Sequence, residues 1–357
     1  MPTREFILET LKTRLDKFLA KQLPEISRSR IQRDIEAGKV EVNGQPILES
    51  KFVVRKGDEV AYKVESNPST ALGADKLKVE SLKATKTPLK ILYNDHGLLI
   101  IDKPAGMVVH PGAGFKGETL ASALLYQFSA EGGSASGGKN IHLVGEEHRP
   151  GIVHRLDKDT SGVILVATTQ EMYEYLKNAF AERKIKKEYI ALVLGKVEKL
   201  HGFIETPIGK SKTDFRKQTT KNSPSAKATG DFQPVEGKEA VTEYKVLEYL
   251  TPPSPLFRKE GGRNPGLDGY TLLRIKLHTG RTHQIRVHLS SIGHPLIGDK
   301  LYGGKKVKLD GLDRQFLHAK KIEVQLPDKT WIEAESELSE DLKKVLKDLN
   351  SKEVNSL

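Results

Sequence analysis

A polar loop that runs straight into an apolar strand constrains this sequence more than any other feature. The stretch extends from Arg149 to Ala167 and reads RPGIVHRLDKDTSGVILVA. Apolar and β-branched residues fill positions 162–167, which predicts a strand buried in a sheet. Loops that a rigid sheet holds in place carry a large share of catalytic side chains. Asp157 in this loop is therefore the first candidate for a functional residue.

Three interpretations of the Asp157 loop compete. Asp157 and Asp159 are common turn residues that satisfy backbone groups. Together with Ser161 and Gly162 they also match the first half of an EF-hand calcium loop, but the twelfth position, which needs a bidentate glutamate, is Thr168. The third interpretation is one ionised carboxylate held by arginine. The loop residues disfavour calcium and leave a plain turn and a reactive carboxylate open.

The charge balance favours a polyanionic partner. The chain has 58 Lys and Arg against 47 Asp and Glu, a net charge of +11. Nucleic acid is the leading partner class, although a soluble basic protein without a specific partner fits the charge equally well. The chain has no cysteine, which excludes disulfides, thiolate metal sites and cysteine nucleophiles. Without a signal-peptide pattern or a long apolar segment, a cytoplasmic protein is expected.

The sequence divides into a small N-terminal module and a larger second domain. Residues 13–64 predict two short helices and a hairpin with its turn at Asn43-Gly44, a small α/β module. Residues 65–88 predict a linker, 89–335 a catalytic domain of many short strands and few helices, and 336–357 a C-terminal helix and tail. The expected fold class is α+β, with a mixed, mostly antiparallel sheet. A basic insertion at 210–229 is expected to form a loop that grips RNA or is merely solvated.

The N-terminal module resembles the S4 RNA-binding domain. The similarity rests on the segments RLDKFL (14–19), SRSRIQRDI (27–35) and GKVEVNG (38–44). It implies binding of structured RNA by shape and phosphate contacts, through the second helix with Arg28, Arg30 and Arg33. Ser27 is the predicted cap of that helix.

The second domain resembles the RluA family of RNA pseudouridine synthases, especially its branch of large-subunit ribosomal RNA synthases D. Residues 149–167 look like the family signature, and further blocks follow in the family's order. These blocks are DKPAGMVVHPG (102–112), KEYIA (187–191), AVTEY (240–244), TGRTHQIRVH (279–288) and GHPLIGD (293–299).

The resemblance implies an isomerase that converts uridine to pseudouridine in ribosomal RNA, with no cofactor and no metal. Asp157 is then the catalytic carboxylate, either a nucleophile at ribose C1′ or a base in glycal formation. Arg281 is expected to form its ion pair. The Tyr189 ring is expected to lie against the uracil and to help the proton on C5 leave. Arg155 is expected to fill the gap that the displaced uridine leaves. A monomer is expected.

Further RNA contacts are expected at His154, His283 and Arg286. The evenly spaced His278, His283 and His288 do not share one face of a strand, so they predict RNA-facing or structural roles rather than a metal site. Two rivals stay open: an RNA-binding protein without activity, and a nucleoside N-glycosylase that releases uracil.

Overall fold

The chain forms two compact units, Met1–Lys78 and Val79–Leu357, in a computed structural model of the 357-residue protein. The structure describes residues 3–7, 12–23, 28–63, 84–111, 115, 117–128, 144–146, 149–211, 214, 216–220, 237–251, 269–353 and 356–357. Ser27, most of the predicted linker and most of the basic insertion lie outside the described residues. Among the described helices, none combines the length and apolar character needed to cross a membrane.

The N-terminal unit is a small sheet with two helices. Its strands are β1 (Thr3–Ile7), β2 (Lys12–Arg14), β3 (Val40–Val42), β4 (Gln45–Pro46), β5 (Val53–Arg55) and β6 (Glu59–Lys63), and its helices are α1 (Leu15–Gln22) and α2 (Arg28–Glu36). The sheet order is β1-β6-β3-β4, and β2 pairs separately with β5. The hairpin turn lies at Asn43-Gly44, where both residues have positive φ angles as the sequence predicts.

Helix α2 presents charge on one side and apolar residues on the other. Ile31 and Ile35 are fully buried, whereas Arg30 and Arg33 are exposed. The Arg30 guanidinium lies 2.9 Å from Asp34, which also accepts a hydrogen bond from the buried Tyr62 hydroxyl. The side chain of Arg28 lies outside the described residues. The exposed face of α2 is therefore basic, and the opposite face is part of the core of this unit.

The second unit is built on a nine-stranded sheet. The strands of this unit are β7 (Lys90–Asp95), β8 (Leu98–Lys103), β9 (Gly145–Glu146), β10 (Arg149–Pro150), β11 (Ser161–Ala167), β12 (Lys186–Leu194), β13 (His201–Ile204), β14 (Gly209–Lys210), β15 (Gln218–Thr219), β16 (Thr242–Leu250), β17 (Tyr270–Leu277), β18 (Leu317–Gln325) and β19 (Trp331–Glu335). Strands β9 and β10, and likewise β14 and β15, form separate pairs outside the nine-stranded sheet. Its helices are α3 (Leu120–Phe128), α4 (Gln170–Ala181), α5 (Gln284–Ser291) and α6 (Glu340–Asp348), with a 3-10 turn at Gly304–Val307.

The sheet is mixed and mostly antiparallel, which confirms the expected α+β class. Its order is β13-β16-β17-β12-β18-β11-β8-β7, with β19 also paired to β18. Strands β11 and β18 run parallel, and the other pairs of this sheet are antiparallel. Every residue of β11 is buried, as its apolar sequence predicts. The strand that follows the Asp157 loop therefore lies in the interior of the sheet.

Gly162 allows β11 to begin close to β18. Its φ is +109°, and a Cβ atom there would lie 2.2 Å from the carbonyl oxygen of Ala319. Residues with a side chain rarely adopt this conformation and could not fit against the neighbouring backbone. The glycine thus fixes where the loop that carries Asp157 ends.

Candidate active site

A cavity of about 400 Å³ opens beside Asp157. Its wall includes the ends of β12 and β17, the Asp157 loop and the loop before α5. The lining includes the apolar side chains Val153, Leu156, Phe180, Ile185, Leu277 and Leu317, and the polar or charged side chains Arg155, Asp157, Arg183, Lys187, Tyr189, Arg281, His283 and Arg286. Three of the sequence blocks, 149–167, 187–191 and 279–288, therefore meet at one place.

Arg286 holds the carboxylate of Asp157. Its Nη1 donates a hydrogen bond to Oδ2 of Asp157 at 2.9 Å, while Nε and Nη2 bind both oxygens of the fully buried Asp299 at 2.7 and 2.9 Å. Burial opposes the charge of Arg286, but the hydrogen bonds to Asp299 and the two carboxylate charges outweigh it and raise the pKa of the guanidinium. Arg286 therefore stays charged and fixes one oxygen of the Asp157 carboxylate.

In this structure Arg286, rather than Arg281, forms the ion pair that was expected for Asp157. Arg281 lines the cavity, but its Nε donates to the backbone oxygen of Glu239 at 2.9 Å. Arg286, expected to contact RNA, is instead buried in the ion pair. The physical reason is that Arg286 lies in the first turn of α5, whose start is fixed by the buried Gln284. Gln284 Oε1 accepts hydrogen bonds from the Thr279 hydroxyl and the Arg281 amide, and its Nε2 donates to the Val241 oxygen.

His283 lies on the other side of the Asp157 carboxylate. Its Nε2 is 3.8 Å from Oδ1 of Asp157, and its Nδ1 is 2.9 Å from the Tyr302 hydroxyl. Burial lowers the pKa of His283, which favours the neutral ring. Its φ of 55° is unusual for a residue with a side chain, and such strain persists where the surrounding structure imposes it. His283 therefore faces Asp157 rather than open solvent.

Two buried cations clamp the backbone of the Asp157 loop. Lys103 Nζ donates to the carbonyl oxygens of Pro104, Met107 and Lys158 at 2.8, 3.0 and 3.1 Å. Arg314 Nη1 donates to the carbonyl oxygen of Asp159 at 2.9 Å. Burial lowers the pKa of Lys103 to about 7. The loop is thus fixed immediately after Asp157. These hydrogen bonds are made to the backbone oxygens of Lys158 and Asp159 and not to the Asp157 carboxylate.

Tyr189 is buried at the cavity wall. Burial, with the nearby Asp157 charge, raises the pKa of its hydroxyl above the usual range. The ring is therefore a neutral phenol at physiological pH. It lies in β12, between Ile275 of β17 and Ala319 of β18, so its position is set by the sheet rather than by a loop.

His154 and Arg155, which precede Asp157 in the same loop, differ in environment. Arg155 is exposed at the cavity, where it can reach a bound polymer. His154 instead packs against Phe180 with ring centroids 4.6 Å apart, and its Nε2 accepts a hydrogen bond from the Leu165 amide at 2.8 Å. Burial lowers the pKa of His154 to about 3, so its ring is neutral. The geometry therefore gives His154 a structural contact and leaves the Arg155 side chain exposed.

Sequence reasoning missed several residues that the structure brings to this site. Asp299, Tyr302 and Lys187 contact or line it, and Lys103 supports it from behind. Asp299, Lys187 and Lys103 stand inside the blocks quoted above, but nothing in their spacing indicates which residue each one contacts.

Comparisons with known proteins show the family of this chain. A family model described as RNA pseudouridylate synthase matches residues 97–291, and an S4 domain model matches residues 13–60. An Aquifex aeolicus protein named "Uncharacterized RNA pseudouridine synthase" is 38% identical over 302 residues, which cover 84% of this chain and 80% of that protein. A Pasteurella multocida "Ribosomal large subunit pseudouridine synthase D" is 36% identical over 301 residues, 84% of this chain and 76% of that protein.

The fold is also similar to that of a human protein, RNA pseudouridylate synthase domain containing 4. The TM-score is 0.51 at 23% identity, over 73% of this chain and 93% of that one. An S4 module joined to this catalytic sheet defines an RNA-modifying isomerase. The chain belongs to the RNA pseudouridine synthase family, whose members isomerise uridine to pseudouridine.

Proposed function

We propose that this chain forms pseudouridine in the ribosomal RNA of the large subunit, and that Asp157 acts at ribose C1′ of the target uridine. The observation that carries the assignment is the Asp157 carboxylate, fixed at 2.9 Å by Arg286 on the wall of the cavity. Relatives named ribosomal large subunit pseudouridine synthase D, 34–38% identical to this chain, support the choice of RNA. The net charge of +11 suits a polyanionic substrate.

The reaction needs a charged carboxylate next to a sugar carbon. The bond from C1′ to N1 of uracil breaks, the base turns, and C1′ joins C5. Asp157 assists either as a nucleophile that forms an ester at C1′, as carboxylates do in retaining glycosidases, or as a base in glycal formation. Both routes require an ionised and aimed carboxylate, and the contact with Arg286 supports both conditions.

Tyr189 is proposed to lie against the uracil ring. It faces the same cavity as Asp157, whose charge contributes to the raised pKa of the Tyr189 hydroxyl. A buried phenol with a raised pKa keeps its proton at physiological pH, so it can donate a hydrogen bond but does not act as a base. The proposed role is therefore packing and hydrogen-bond donation, with Asp157 and solvent-accessible groups left to move protons.

Exposed basic residues are proposed to hold the RNA around the target nucleotide. A uridine in a helix leaves its stack at a cost of roughly a few kcal/mol, and Arg155 at the cavity is placed to fill the space. Arg183 and Arg281 at the same cavity suit the phosphate backbone. On the N-terminal unit, the exposed Arg30 and Arg33 are proposed to contact structured RNA.

Tritium release tests the assignment. Ribosomal RNA labelled at uridine C5 should lose tritium with the wild-type enzyme and not with Asp157→Asn, while the variant still binds the RNA. Asp313→Asn is the matched control, because the side chain of Asp313 is fully exposed. Full activity of Asp157→Asn would remove Asp157 from its role. Mass spectrometry separates the rivals, because pseudouridine formation leaves the RNA mass unchanged and a glycosylase releases uracil.

The choice of RNA and the oligomeric state need separate measurements. Site-resolved pseudouridine mapping of large-subunit ribosomal RNA, with and without this gene, identifies the modified positions. We propose a monomer in the cytoplasm, since the cysteine-free composition suits a reducing compartment. Light scattering should give a mass near 39.7 kDa, and cell fractionation should recover the protein in the cytosol.

A further inference from the structure

Lys187 turns toward the cavity, while its two neighbours in the strand turn away. Lys187 and Tyr189 are two apart in β12, so they share one face, and both line the cavity. Lys186 and Glu188 lie on the opposite face, where Lys186 binds Glu323 at 2.9 Å and Glu188 lies 3.2 Å from Arg274. The outward-facing charges are therefore paired on the surface, and Lys187 is the charge that β12 presents to the site.

Among the described residues, no carboxylate and no hydrogen-bond acceptor is paired with the Lys187 ammonium. Its Nζ lies over the ring of Phe180, 5.5 Å from the ring centroid. Burial alone lowers the pKa of Lys187 to about 8. Lys103 is also buried, but three carbonyl oxygens surround its Nζ. Lys187 therefore has a poorly solvated charge that the protein itself does not neutralise.

The reaction creates a negative charge that needs such a cation. When the C1′–N1 bond breaks, its electron pair stays on the uracil ring and spreads over N1 and the two carbonyl oxygens. Arg286 is directed elsewhere, because each of its three nitrogens already donates a hydrogen bond to Asp157 or Asp299. Preorganised donors aimed at developing charge are a large source of rate acceleration in enclosed sites.

We propose that Lys187 is a catalytic residue whose ammonium donates a hydrogen bond to a carbonyl oxygen of the target uracil and stabilises the detached ring anion. The ring anion then attacks C1′ through C5. In the nucleophilic route the ester bond between Asp157 and C1′ breaks as C1′–C5 forms, and in the glycal route the proton taken from C2′ returns. The hydrogen on C5 leaves as a proton, and N1 takes up a proton. The atoms balance with no co-reactant, and Lys187 keeps its proton throughout. The nucleophilic and glycal routes both pass through a detached ring, so the role holds for either.

The lining of the cavity favours the base over a phosphate as the partner of Lys187. Phe180, Ile185 and Leu277 line the same cavity, and a flat uracil ring suits such apolar walls better than a hydrated phosphate does. Arg155 and Arg183, which also line the cavity, are exposed and are better placed for the RNA backbone. The inference rests on the proposed placement of the uridine between Asp157 and Tyr189.

Lys187→Met tests the proposal in the full-length protein, with Lys187→Arg as the conservative variant and Lys186→Met as the matched control. Single-turnover tritium release at saturating enzyme should fall about 100-fold in Lys187→Met and recover in part in Lys187→Arg. Lys186→Met should keep the wild-type rate. RNA affinity and its salt dependence should not change, and the melting temperature of Lys187→Met should rise, because an unpaired buried charge is removed.

Three results would overturn the role of Lys187. An unchanged rate would remove it from the chemistry. A weaker RNA affinity with a salt slope reduced by about 1 would show a phosphate contact instead. A lower melting temperature together with a lower rate would show a structural role. Failure of the proposed function looks different, since the wild type would then release no tritium or Asp157→Asn would remain active.

Discussion

Arg286 lies 2.9 Å from Asp157 while its other donors bind Asp299, so one guanidinium joins two carboxylates. Asp299 is fixed in turn, because its Oδ1 also accepts hydrogen bonds from the amides of Leu301 and Tyr302. The direction of the Asp157 carboxylate therefore depends on a fork that only arginine provides. A lysine has one ammonium nitrogen and could not bind both partners in this geometry.

Replacement of Arg286 by lysine should abolish most activity. The change leaves Asp157 or Asp299 without its partner, and loss of one member of a buried ion pair costs about 3–5 kcal/mol. We expect tritium release to fall at least ~100-fold. The control is Arg281→Lys, since a lysine can also donate to the Glu239 oxygen. A larger loss of activity in Arg281→Lys than in Arg286→Lys would favour the ion pair between Arg281 and Asp157 that the family resemblance implied.

The contrast between Arg281 and Arg286 shows where sequence reasoning stops. Periodicity and turn residues predicted the buried strand β11 and the Asn43-Gly44 turn. Both arginines stand in one short block, and the choice between them depends on which one the first turn of α5 points at the Asp157 loop. That direction is set by tertiary hydrogen bonds of Gln284, which no local pattern reveals.

The supporting cations were hidden for the same reason. The Lys103 contact with the Lys158 oxygen joins residues 55 positions apart, and the Arg314 contact with the Asp159 oxygen spans 155 positions. Local spacing carries no information on such pairs. The resemblance to a family identified the blocks, but only the folded structure shows which residues of these blocks contact each other.

Lys103→Met should destabilise the protein and slow the reaction. Three partly buried carbonyl oxygens would lose their donor, and a buried group left unsatisfied costs about 1–3 kcal/mol. We expect the free energy of unfolding in urea to fall by about 3 kcal/mol. Lys90→Met is the control, because Lys90 is exposed and pairs with Asp102 at the surface. Equal stability of the two variants would contradict the clamp.

Tyr302→Phe should lower the rate modestly without affecting RNA binding. The Tyr302 hydroxyl accepts a hydrogen bond from the Gln218 amide at 2.9 Å, so its own proton is free to point to Nδ1 of His283. The remaining ring proton is then on Nε2, directed at Asp157. Loss of one such hydrogen bond corresponds to a decrease of up to roughly tenfold. The ring would stay in place over Arg286.

Two measurements separate this effect from general damage. Nitrogen NMR of the imidazole rings should assign the Nε2-protonated tautomer to His283 in the wild type and a changed signal in Tyr302→Phe. Tyr249→Phe is the matched control, because the Tyr249 hydroxyl donates to the Val197 oxygen away from the cavity. An Nδ1-protonated ring in the wild type would refute the proposed direction of the hydrogen bonds.

Lys187→Met should stabilise the protein at neutral pH, and the gain should vanish in alkali. Burial lowers the pKa of Lys187 from 10.5 to about 8, so the folded state binds this proton less tightly than the unfolded chain. The charged lysine therefore costs stability at every pH below about 8. Between pH 8 and 10.5 the folded protein loses the proton first and the cost declines with rising pH, and above 10.5 it is gone.

Urea unfolding at several pH values checks the sign and the window. At pH 7 we expect the free energy of unfolding of Lys187→Met to exceed that of the wild type by on the order of 2 kcal/mol, after allowance for the part of the side chain that solvent reaches. Lys186→Met should show no such gain, because Lys186 is exposed and paired with Glu323. A difference that stays constant from pH 7 to 10.5 would mean that the Lys187 charge is not the cause. If Lys187→Met is more stable than the wild type and also slower, Lys187 contributes to the reaction and not to the stability of the fold.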